Sequence, residues 1–100
     1  SLGGLMDEAL PAETLEGIRH IIRTVGGGAL QPGSLRSRRS GARVFIEFNL
    51  VVPGEISVAT AHDICDRLEA AIEAYVEGST IVIHLEPASS HAASRDIRAG

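Results

Sequence analysis

The residues best suited to chemistry are His62, His84 and Glu86, with Asp66 as a helper. Imidazole nitrogen with carboxylate oxygen is the donor set taken by zinc and its neighbours, with water or another protomer's side chain completing four positions. Asp66 lies one helical turn beyond His62 and can hold that imidazole in one tautomer. Read from the residues alone, the same groups also suit two half-buried histidines, each hydrogen-bonded locally. A second group, Arg36, Arg38, Arg39 and Arg43, fits a phosphate, a lipid headgroup or an acidic partner, and equally a solvated edge strand. Arg38 with Asn49 supplies the residue types of acyl-phosphate hydrolysis. However, no glycine-rich phosphate cradle leads into a helix, and no serine or cysteine nucleophile stands near a histidine base. Catalysis is not expected.

The elements that must position these groups follow from the pattern. Ser79–Pro87, read Ser-Thr-Ile-Val-Ile-His-Leu-Glu-Pro, is strand-forming. Alternation puts Ile81, Ile83 and Leu85 on a core face and Val82, His84 and Glu86 on the other. Arg43 to Val52 is a second strand, with Val44, Ile46, Phe48 and Leu50 facing the core and Phe45, Glu47, Asn49 and Val51 facing away. Ser34 to Arg39 is a short edge strand blunted by charge, joined to it by a turn at Ser40-Gly41. Ala29 to Gly33 reads as a loop.

Two helices complete the pattern. Pro11 opens the first, whose stripe is Leu15, Ile18, Ile21, Ile22 and Val25, and Gly26-Gly27-Gly28 ends it. His20 lies opposite that stripe and reads as solvated. Ser57 caps the second, Val58 to about Tyr75, with a stripe of Ala61, Ile64, Cys65, Leu68, Ala71, Ile72 and Tyr75. In it Cys65 is a small buried hydrophobe and His62 edges the buried face. The order helix, strand, strand, helix, strand predicts an α+β open sandwich, two helices on one face of a three-stranded mixed sheet. The uncovered face holds Phe45, Asn49, Val51, Val82 and His84, which predicts a homodimer through that face.

Composition sets the outer limits. One hundred residues allow one domain, and 44% apolar residues are enough for a core. With three aromatic residues, that core must be aliphatic. One cysteine excludes an internal disulfide and a cysteine-based zinc knuckle, and a net charge of −4 argues against nucleic acid. No apolar run is long enough to span a bilayer, and no secretory signal opens the sequence. Residues 1–10 read as an expression remnant and linker, 11–87 as the folded unit and 88–100 as a disordered tail.

Four short motifs then carry a resemblance. Leu5-Met6-Asp7 with Ala9-Leu10-Pro11, then Leu35-Arg36-Ser37-Arg38-Arg39-Ser40-Gly41, then Ala61-His62, then Val82-Ile83-His84-Leu85-Glu86-Pro87 together resemble the cytoplasmic C-terminal domain of cation diffusion facilitator transporters. The resemblance implies a ferredoxin-like, metallochaperone-like αββαβ fold following six transmembrane helices that this chain lacks. It also implies a dimer on the cytoplasmic side of the membrane, binding a divalent metal at its interface to regulate efflux. Zinc is the leading metal, with cobalt, nickel, manganese and iron as alternatives. His62 and His84 match ligand positions of that family, Glu86 stands where an aspartate is usual, and Asn49 and Gly33 stand where histidines are found. Asn49 then offers an oxygen, His91 an extra ligand from the tail, and Asp7 a place at the hinge to the membrane. One metal site of modest affinity is expected, its uptake falling below about pH 6 as imidazoles take up protons. The other readings are a structural dimerisation domain without metal and a free-standing metal chaperone.

Overall fold

The computed structural model describes residues 9–88. Helix α1 spans Ala12–Val25 and helix α2 spans Val58–Tyr75; the strands are β1 Ala29–Leu30, β2 Arg36–Ser40, β3 Arg43–Val52 and β4 Ser79–Pro87. Pro11 stands at the N-cap of α1 with φ −56°, the torsion its ring imposes, and the helix ends as Gly26 turns to extended backbone. Ser57 caps α2 by accepting a hydrogen bond from Thr60 N at 3.0 Å.

β3 is the centre of the sheet and alternates strictly between buried and half-exposed residues after Arg43. Val44, Ile46, Phe48, Leu50 and Val52 are buried in one cluster with Ile18 and Ile22 of α1 and Ile64, Leu68 and Ile72 of α2. Burying each such side chain contributes about 1.5–3 kcal/mol, so this single layer between helices and sheet carries most of the stabilisation. β4 runs parallel to β3, as a strand connected through a helix must when it returns to the same edge direction, and β2 runs antiparallel on the opposite edge. The αββαβ open sandwich read from the pattern is therefore the observed architecture.

Several details differ from the sequence reading. Ala29–Leu30 is not loop but a two-residue strand paired with Val51 and Leu50, so the sheet has four strands. Its residues have no alternation to display, because two residues carry no period. Between β1 and β2 the chain leaves the ladder, and Ser34 repairs the gap: its buried hydroxyl accepts from Asn49 N at 3.2 Å and donates to Gln31 O at 2.7 Å. The hairpin turn falls at Gly41-Ala42 rather than Ser40-Gly41, since Ser40 still pairs with Arg43 and Gly41 takes φ +63°. At the rim, Leu85 and Tyr75 are exposed rather than core, and Cys65 is only partly buried. The ring of Tyr75 lies instead where a side chain at Gly17 would stand.

Candidate metal centre

β2, β3 and β4 lay their odd and even residues in register on the uncovered face. Arg36 faces Glu47, Asn49 faces His84, and Val51 faces Glu86. The hydrogen bonds run along the diagonal of this grid. Glu47 Oε2 lies 2.5 Å from His84 Nε2, and Asn49 Nδ2 donates to Glu86 Oε2 at 2.5 Å. Diagonal neighbours on a sheet lie within reach of long side chains, so a two-residue offset suffices for both contacts.

Arg36 adds a third strand to the first contact, its guanidinium standing 3.3 Å from the same Glu47 oxygen. The hydrogen bond from His84, supported by the Arg36 charge, holds the Glu47 carboxyl below the usual carboxylate range. Glu86 is held by a second amide as well. In the orientation that satisfies both its atoms, Gln31 donates to each Glu86 oxygen at 3.0 Å. Beside these, Arg38 stacks its guanidinium 4.2 Å above the Phe45 ring. Arg36, Ser37, Arg38, Phe45 and Glu47 there line a shallow cavity of about 190 Å³.

One atom of this face is unaccounted for. Asn49 Oδ1 is buried and has no hydrogen-bond partner among the described residues. Buried acceptors are rarely left so, and an ion or a water is the ordinary explanation. Asn49 pairs in register with His84 and its amide nitrogen holds Glu86, so the side chains this face offers beside it are one imidazole and a carboxylate. That chemistry fits a divalent cation of the borderline to hard kind.

His62 lies elsewhere. It is on α2, the layer on the other side of the sheet, and its side chain is 75% exposed, not tucked at the edge of the buried face. The helix packs through Ile64, Leu68 and Ile72, which turns residue 62 outward. Asp66 does partner it, with Oδ2 3.2 Å from His62 Nδ1. Among the described residues no three histidine, cysteine or acidic side chains of one protomer converge as a metal-binding group. His84 and Glu86 share the open face, then, while His62 is not brought to them within the chain. Gly33 is in the turn before Ser34, at φ +76°. His91, Asp7 and the tail lie outside the described residues. Glu47 was missed by sequence reasoning. The diagonal that joins it to His84 depends on the β3–β4 register, which no local pattern displays.

Two helices on one side of a mixed sheet, with a histidine–carboxylate grid on the other, define a class: residues 10–88 match the cytoplasmic domain of cation efflux proteins, and the chain belongs to that family. Its relatives include the cation-efflux pump FieF of Pectobacterium atrosepticum, 39% identical over 88 residues, which cover 86% of this chain and 28% of the pump. An uncharacterized transporter of Synechocystis sp. is 33% identical over 87 residues, covering 87% of this chain and 28% of that protein. The chain thus spans little more than a quarter of the length of the curated relatives it matches. Among solved structures, the zinc form of CzrB superposes with a TM-score of 0.69 at 41% identity, over 84% of this chain and 96% of that one. No helix among the described residues is long and apolar enough to cross a membrane.

Proposed function

We propose that this chain is the dimerising, metal-sensing domain of a divalent-cation efflux transporter of the zinc type. The observation that carries the reading is the open face itself. It holds a buried oxygen with no partner among the described residues, an imidazole and an amide-held carboxylate, yet one protomer assembles no complete ligand group among those residues. A second copy meeting the same face doubles the donors and covers the exposed apolar residues there. His84 and Glu86 would hold the ion, with Asn49 Oδ1 adding an oxygen, while His62, oriented by Asp66 on the helix layer, stands apart from this face. When bound, the ion supplies a doubly positive centre best satisfied by donors from both copies. His84 and Glu86 then couple metal level to protomer spacing to the extent that they bind more tightly in one arrangement than the other. The zinc named for CzrB and the cation named for FieF support the class of ligand. Membrane helices elsewhere in the full protein would receive the shift.

Calorimetric titration of Zn²⁺ into the chain and into His84→Ala, with light scattering before and after metal, tests this. Heat that is lost in His84→Ala, with a larger mass in zinc, is the expected result. A specific observation favours a second reading, a structural dimerisation domain without metal: His84 and Glu86 already have protein partners. Equal or absent heats in the two proteins, with an unchanged dimer, would establish it.

A further inference from the structure

Glu47 occupies a position that neither residue type nor strand pattern singles out, and its geometry gives it a distinct task. Its Oε2 receives His84 Nε2 at 2.5 Å while Arg36 stands 3.3 Å from the same oxygen. An ionised carboxylate can only accept, and the guanidinium beside it keeps it ionised. The proton between them therefore belongs to the imidazole. A neutral imidazole that donates through Nε2 leaves its lone pair on Nδ1.

We propose that Glu47 is a positioning residue that sets the tautomer of His84, so that Nδ1 is the nitrogen His84 offers to a divalent metal. This rests on the reading of His84 as a metal donor. The arrangement spans three strands, Arg36 on β2, Glu47 on β3 and His84 on β4, so the ring is held by the sheet and not by its own rotamer alone. A carboxylate hydrogen-bonded to the outer nitrogen fixes ring orientation and raises the basicity of the inner one. His84 cannot ligate metal through Nε2 without this hydrogen bond being broken. Glu86, held by Asn49, is the other carboxylate of this face.

The test separates the tautomer from the metal. Long-range ¹H–¹⁵N correlation spectra of the metal-free chain near pH 8.5, about two units above the reference histidine pKa, report which nitrogen of His84 carries the proton. Wild type should show protonated Nε2 and bare Nδ1. Glu47→Ala should show a mixture, while Glu47→Gln, whose amide oxygen can still accept, should keep the wild-type pattern. With Zn²⁺ added, wild-type His84 should retain Nε2–H and shift at Nδ1. Zinc affinity should fall about 10–100-fold in Glu47→Ala and less in Glu47→Gln. Protonated Nδ1 in the metal-free wild type, an unchanged tautomer in Glu47→Ala, or zinc ligation through Nε2 would overturn the assignment. If the tautomer responds as described but no variant takes up zinc, the metal reading of His84 is what fails, because the metal-free spectra stand apart from it. Circular dichroism of both variants confirms that the sheet is intact.

Discussion

The thiol of Cys65 shows how a single residue's environment becomes a measurable quantity. Burial pushes its pKa up, and the neighbouring carboxylates of Glu69 and Asp66 push in the same direction. A raised thiol pKa means the folded state holds its proton longer than the unfolded chain. Stability is therefore unaffected at neutral pH and declines as pH rises through the unfolded value of about 8.5 toward the folded one. Urea midpoints between neutral and alkaline pH should fall, and Cys65→Ala should flatten that fall. Alkylation at neutral pH should be slower in the folded chain than in urea. Ser34 is the opposite case, a polar side chain doing the work of backbone. It supplies the acceptor for Asn49 N where β1 and β2 leave the ladder. Ser34→Ala leaves that N–H unpaired beside the core and should cost about 1–3 kcal/mol in urea denaturation.

At the scale of elements, the passage from α1 into β1 is closed by backbone. A Cβ at Gly28 would stand 2.7 Å from Val51 O and 2.8 Å from Val52 Cγ1, so the backbone of β3 itself blocks a side chain there. Gly28→Ala must push β1 away from β3, and overpacking of this kind costs about 1–3 kcal/mol. Gly17 contrasts with it, since the atoms in its way are the far end of the exposed Tyr75 ring, which can swing aside. A lower urea midpoint for Gly28→Ala with little change for Gly17→Ala checks the distinction. The helices themselves follow from their apolar stripes, because α1 buries Ile18 and Ile22 and α2 buries Ile64, Leu68 and Ile72 at helical spacing.

The whole molecule is lopsided. Both helices cover one face of the sheet, and on the other Val82 remains 45% exposed among the half-buried Phe45 and Val51. Exposed apolar side chains interleaved with polar ones on an uncovered sheet face are the usual mark of an association surface. Placing a charge there tests whether that surface pairs two copies. Val82→Glu should weaken the dimer at least about tenfold by light scattering, since it sets a second carboxylate directly opposite Glu47 and carries both into the seam. Its urea midpoint as a monomer should hardly move, because Val82 contributes nothing to the core. A dimer that survives unchanged would exclude this face as the seam.

Helix spans, the buried rows of β3 and the uncovered sheet face were all legible from the chain, because each is written as a period of 3.6 or 2 in residues that burial must separate from water. His84 and Glu86 were legible on one face for the same reason. What no period could display was the pairing register between β3 and β4. That register sets Glu47 diagonally against His84 and Asn49 against Glu86, and it leaves Asn49 Oδ1 without a partner among the described residues. Nor could local pattern show that His62 turns outward, since a helix stripe gives an angle but not where its neighbours stop. Side chains that meet across strands distant in sequence are brought together by the folded sheet alone, and the chemistry of this face is made of such meetings.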